Sequence, residues 1–162
     1  MSDGINDGEL NELIQRVTAL GGNIENALKI GLLKAGAKVQ ADAKNNCPMT
    51  ATGRLKNSIV TSYSNDTATR IHYIIVGTNV NYAPYVEYGT GPVGAASQKD
   101  APPNMNLTYR STPWVFKDED TDKFIFTRGQ PAKPFLYPAF KNNQNAVKNI
   151  IKEELRKALR SL

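Results

Sequence analysis

The chain has 162 residues, 40% apolar and 22% charged, the composition of a folded protein and well away from the disordered class. Its length suffices to bury a core without disulfides or metal, and its single cysteine, Cys47, excludes an internal disulfide and fits a reducing compartment. The net charge of +5 permits contact with nucleic acid or an acidic surface without establishing either.

The first nine residues carry acids and glycines where a signal peptide needs basic and then apolar ones. No apolar run approaches the roughly 20 residues that span a bilayer, so no membrane partner is expected. Leu10, Leu13, Ile14, Val17 and Leu20 recur at helical spacing. Gly21-Gly22 then supplies the permissive backbone that ends a short first helix. Asn23 suits the N-cap of a second, longer helix whose stripe is Ile24, Leu28, Leu32, Ala35, Val39 and Ala43. Gly31 and Gly36 weaken it by about 1 kcal/mol each against alanine, so packing compensates or they mark close contact. Asn45, Asn46 and Pro48 end it.

Pro48 to Ile59 reads as a turn leading into a strand, with Gly53 at positive φ and Thr50 or Thr52 bonding to the local backbone. Ser58–Tyr63 and Thr69–Val76 are β-prone and form an antiparallel hairpin. Ile71, Tyr73 and Ile75 on one face, with His72, Ile74 and Val76 on the other, predict cover on both sides of the second strand for part of its length. The cluster Tyr82-Ala-Pro-Tyr-Val-Glu-Tyr-Gly89 forms a helical turn with Gly89 at its end, which Tyr82, Tyr85 and Val86 either anchor on the core or present to a partner. From Gly91 to Pro113, four prolines and no sustained period predict a long central loop, released by a flexible Gly89–Gly94 hinge. Trp114–Lys117 and Lys123–Thr127 flank the acidic turn Asp118–Asp122 as a second hairpin. Gly129–Pro134 is an extended connection. The last helix starts near Pro138, with Phe140, Val147, Ile151, Leu155, Ala158 and Leu162 as its stripe.

The order predicts an α+β fold: a small antiparallel sheet with a long N-terminal helix and a C-terminal helix packed on it. Residues 1–162 read as a single domain, with 1–8 flexible and 91–113 a long loop.

Chemical motifs are few. Gly89-Thr-Gly-Pro-Val-Gly94 matches a dinucleotide fingerprint in letters but lacks the strand before it and the helix after it that such a site requires. Asp118, Asp120 and Asp122 alternate as calcium-loop ligands do, but Lys123 and Gly129 stand where glycine and a bidentate glutamate are needed. The lone His72 cannot assemble a metal site or a triad. Cys47, at a helix C-terminus, meets the negative end of the dipole, which disfavours a thiolate. No cofactor, metal, small-molecule substrate or catalysis is expected. Lys141, Lys148, Lys152 and Arg156 form a basic stripe on the last helix and are the candidates for contact with an anionic partner or DNA, unless Glu153 pairs with Lys157 and Arg156.

Five segments, in order, resemble the head-tail joining or tail-completion proteins of long-tailed bacteriophages, also called minor capsid or neck proteins. They are Ala43-Lys44 with Cys47-Pro48, the turn Thr52-Gly-Arg-Leu-Lys-Asn-Ser-Ile59, Val76-Gly-Thr78, Tyr82–Thr90, and Pro131-Ala-Lys-Pro-Phe-Leu-Tyr-Pro-Ala-Phe140. The resemblance covers the chain from about Ile24 onward. It departs at Met49-Thr-Ala-Thr52, where the family has an acid before the threonine, and at Tyr137, where it commonly has arginine. The resemblance implies a virion structural protein at the head-tail junction, present in the host cytoplasm during assembly. Its implied partners are copies of itself in a ring around the DNA channel and neighbouring neck or tail proteins. It singles out Pro48, Thr52, Gly53, Leu55, Ser58, Tyr82, Tyr85, Val86, Gly89, Pro134, Phe135 and Pro138 as the structural turn and cluster. Rings need two different patches per subunit, and the long loop and the acidic tip are the segments assigned to them. A small nucleic-acid-binding domain using the basic last helix is the alternative.

Overall fold

A computed structural model describes residues 7–49, 52–97, 101–118 and 121–160, with backbone alone for 7–20 and Gly22. The elements in chain order are α1 (Asp7–Asn46), α2 (Arg54–Ser58), β1 (Val60–Asp66), β2 (Ile71–Gly77), α3 (Ala83–Tyr88), α4 (Gly91–Ser97), β3 (Trp114–Lys117), β4 (Phe124–Thr127) and α5 (Leu136–Arg160). The fold is α+β, with two separate antiparallel hairpins, β1–β2 and β3–β4.

The two expected N-terminal helices are one, α1, of 40 residues and roughly 60 Å. Gly21-Gly22 does not break it, because two glycines cost a helix only about 2 kcal/mol and neither adopts the positive φ that would turn the chain. Of the expected flexible stretch 1–8, Asp7 and Gly8 belong to α1 and the rest lies outside the described residues, as do the side chains of Leu10 to Leu20 and Leu162.

The helix α1 is the spine. Ala27, Gly31, Ala35, Val39 and Ala43 are buried along it, with Ile24, Leu28 and Leu32 half-buried. Gly31 and Gly36 both mark close contact. A Cβ on Gly31 would lie 3.1 Å from Ile151 Cα of α5, and one on Gly36 would lie 2.7 Å from the Thr61 methyl and 2.6 Å from Ile74 Cγ1 of the hairpin. Five residues place them roughly 140° apart around the helix, so one glycine lets α5 close on α1 and the other admits β1–β2. Asn143 of α5 is buried and donates to Asp42 Oδ2 at 2.7 Å and to the Ala139 carbonyl at 2.8 Å.

Four further expectations are corrected. The turn after Gly53 is itself helical, as α2. Ile71, Tyr73 and Ile75 are exposed, since α1 covers only the Thr61/Ile74 side of the hairpin. The segment after Gly91 begins as helix α4, so the irregular stretch is shorter than 91–113. In α5, which starts at Leu136, Phe140 is exposed while Ala139 and Asn143 are buried.

Candidate functional site

The core lies where the end of α1, the α2 turn, α3 and the start of α5 meet. Val39, Ala43, Cys47, Leu55, Ile59, Val80, Ala83, Phe135 and Ala139 are buried together, with Tyr82 and Val86 packed against them. The separated sequence segments thus converge on one place. Gly53 has φ +63°, which lets the chain reverse from Pro48 into α2 so that Leu55 points inward. The Thr52 hydroxyl accepts the Arg54 N–H at 3.4 Å, while Thr50 lies outside the described residues. Ser58 donates its hydroxyl to the Leu55 carbonyl at 2.8 Å and meets the Thr78 hydroxyl, fastening α2 to the end of β2. Thr78 Oγ1 accepts the Val80 N–H at 3.1 Å.

The helix α5 presents a problem that its own sequence does not solve. First-turn N–H groups need acceptors, and Lys133-Pro134-Phe135 contains no Ser, Thr, Asp or Asn to cap them. Glu87 of α3 supplies the acceptor. Its buried carboxylate takes the N–H of Phe135 at 2.7 Å and of Leu136 at 3.0 Å on Oε2, and that of Tyr137 at 2.8 Å on Oε1. A negative charge is also favoured at the positive end of a helix dipole. Sequence reasoning missed Glu87. The signal was the uncapped start of α5 together with a lone acid inside an aromatic turn. Pro134 and Pro138, both half-buried, flank these donors and add none of their own.

The connection before α5 is stitched to α3 and α4. Thr90 donates its N–H to the Gln130 carbonyl at 3.0 Å and accepts the Gln130 N–H on Oγ1 at 3.1 Å. Lys133 donates its N–H to the Val86 carbonyl at 2.8 Å, and Ala132 donates to Ser97 Oγ at 2.8 Å. The expected Gly89–Gly94 hinge is close-packed instead: a Cβ on Gly89 would lie 2.7 Å from the Ala132 nitrogen, and one on Gly129 would overlap the Thr90 carbonyl. These glycines have positive φ, +74° at Gly89 and +109° at Gly129, and serve contact between backbones.

Beside this unit an open cleft of about 1070 Å³ separates α3 from the inner face of β3–β4. Tyr85 lines it, as do Trp114, Phe116 and Ile125. Tyr85 is 58% exposed, so it is not a core anchor, while Tyr82 and Val86 are. Tyr109 donates its hydroxyl to the Tyr88 carbonyl at 3.0 Å. Burial raises the pKa of both phenols above the ordinary tyrosine value, with the charge of Glu87 adding to the effect at Tyr88. The Arg110 guanidinium sits 5.7 Å from the Trp114 ring. Such a surface suits packing or docking.

The other candidates are dispersed. Burial raises the Cys47 thiol above its ordinary value, so it acts as a small apolar side chain. His72 Nδ1 shares a 2.7 Å hydrogen bond with the Tyr63 hydroxyl. Among the described residues no three His, Cys, Asp or Glu side chains come together to hold a metal, and no helix is long and apolar enough to cross a membrane. Lys141, Lys148, Lys152 and Arg156 are exposed on α5. Arg156 pairs with Glu153 at 3.1 Å, and Lys157 pairs with Glu154 at 2.8 Å rather than with Glu153.

Residues 11–89 match the family model described as "Bacteriophage HK97-gp10, putative tail-component". This agrees with the resemblance to phage head-tail joining and tail-completion proteins carried by the sequence segments. The match runs from α1 to the Gly89 that ends α3, and so includes Glu87. Neither the curated proteins nor the solved structures yield a match to the chain.

Proposed function

We infer from the match to phage tail components over residues 11–89 that this chain is a structural subunit of a phage virion. It serves as a head-tail connector or tail-completion component, acts through packing contacts without catalysis, and forms a ring at the neck around the DNA channel. Its partners are further copies of itself and adjoining neck or tail proteins, and it is made in the host cytoplasm before assembly.

The observation that carries this reading beyond the matched half is the Glu87 clamp. The last acid of the matched region caps a helix outside it, so residues 11–89 and α5 are parts of one structural unit. An apolar cleft and exposed apolar strands are what a subunit designed for contact presents.

Mass spectrometry of purified particles together with electron microscopy of the neck tests the reading. The expected result is several copies per mature particle and a ring of density between head and tail. Mature particles that lack the protein would overturn it.

One observation favours a secondary role beside DNA: Lys148 and Lys152 lie exposed on one side of α5. That role predicts weak, steeply salt-dependent DNA binding that falls when Lys148, Lys152 and Arg156 are neutralised. No binding at low salt removes it.

A further inference from the structure

Among the described residues, two β-faces of this chain expose several large apolar side chains. In the β1–β2 register Ser62 lies opposite Ile75 and Ser64 opposite Tyr73. One face therefore carries Val60, Ser62 and Ser64, with Asp66 at its edge, beside Ile71, Tyr73 and Ile75. Its reverse side is pressed on α1 at Gly36. In β3–β4, Val115 lies opposite Phe126 and Lys117 opposite Phe124. The other face of that hairpin turns Trp114, Phe116 and Ile125 to the cleft, leaving Phe124 and Phe126 76% and 68% exposed. Scattered apolar residues on a surface are ordinary, but a contiguous strand face is not, least of all on two-stranded sheets.

We propose that these are the two halves of one contact between copies of this chain, with the Val115/Phe124/Phe126 face of one subunit packed on the Val60/Tyr73/Ile75 face of the next. The proposal rests on the reading above that the chain works as an assembled subunit. It names the surfaces that join its copies.

Shape selects this pairing. Phe124 and Phe126 are two residues apart on one strand, so their rings project on one side at a spacing of about 7 Å. Ser62 and Ser64 repeat at the same spacing with short side chains, beside the taller Tyr73 and Ile75. Large rings over a row of small residues is how packed sheets interdigitate. Pairing each face with itself sets phenylalanine against phenylalanine and leaves the serine row unfilled. Size agrees. Each face offers on the order of 400 Å² of apolar surface, and a standard interface takes about 800 Å² per partner, somewhat more than half of it apolar.

The two faces belong to different elements, one carried by α1 and the other attached beside α3 and α4. The contact is therefore heterologous, and repeating it generates a ring or an open row.

Two full-length variants, Ser64→Cys and Phe126→Cys, test the pairing with a short bis-maleimide cross-linker. Cys47 is buried and the unmodified chain is the control. The mixture of the two variants is expected to give at least ten times more cross-linked dimer than either variant alone. Equal yield from a single variant, or no dimer from the mixture, overturns the proposal. Sedimentation supplies an independent reading: Phe124→Ser/Phe126→Ser is expected to move self-association to at least tenfold higher concentration, and association unchanged from that of the parent chain counts against the contact. Cross-linking that succeeds for a protein absent from particles refutes the virion role and leaves the contact standing. A protein found at the neck that fails both assays refutes the contact alone.

Discussion

Glu87 and Phe135 stand 48 positions apart in the chain and 2.7 Å apart at the bond from the Phe135 N–H to Oε2. Through this bond a six-residue helix fixes the start of a 25-residue one. The same carboxylate holds the next two N–H groups, so one side chain does the capping that the residues before α5 cannot do.

Replacing Glu87 with alanine leaves three first-turn donors without their acceptor in a buried place. The expected loss is about 3 kcal/mol or more, above the roughly 1 kcal/mol of an exposed cap. Glu87→Gln, which keeps one oxygen, is expected to fall between. Urea denaturation followed by circular dichroism measures both, and a loss in Glu87→Ala below 1 kcal/mol would show that the clamp contributes little.

Two α1 glycines are expected to respond to alanine with opposite signs. Among the described residues nothing lies within 4 Å of a Cβ on Gly21, so Gly21→Ala gains helix propensity and stabilises by up to about 1 kcal/mol. At Gly36 the same gain is opposed by overlap with Ile74 and Thr61, and overpacking of this kind costs about 1–3 kcal/mol. Gly36→Ala should therefore lower the melting temperature while Gly21→Ala raises it.

Aromatic truncation should separate core from cleft. Phe135 is 1% exposed, and Phe135→Ala is expected to cost about 3–5 kcal/mol. Tyr85→Ala, at a surface position lining the cleft, should cost less than about 1 kcal/mol. Comparable losses for the two in equilibrium unfolding would contradict this placement.

Acid should loosen the α1–α5 contact. Hydrogen bonds from Lys157 and then Lys34 hold the Glu154 carboxyl below its ordinary value, and bonds from Lys38 and then Asn143 do the same for Asp42. Carboxyls with lowered folded values stabilise fully above their unfolded pKa, near 4.5 and 3.8, and lose that contribution as pH falls through the folded ones. Urea midpoints should thus drop between pH 7 and pH 3, and drop less in the Glu154→Gln/Asp42→Asn double variant.

The sequence by itself determined the α+β order, both hairpins, the left-handed Gly53, a final helix beginning within two residues of Pro138, and the phage resemblance. The resemblance rests on the order of five short segments, whereas the elements rest on local physics: apolar period, turn chemistry and backbone freedom act within a few residues and leave their mark in the letters. Tertiary structure alone decided whether Gly21-Gly22 breaks a helix, because glycine permits a turn without requiring one. It also decided that Gly89 and Gly94 are points of close backbone contact rather than the ends of a hinge. Periodicity places Tyr85, Phe140, Tyr73 and Ile75 on faces but cannot say what covers a face, and here α1 covers only one side of β2. Glu87 is the sharpest case, since nothing within its own helix reveals that its carboxylate serves donors 48 residues away. A cap supplied from another element exists only once the chain has folded.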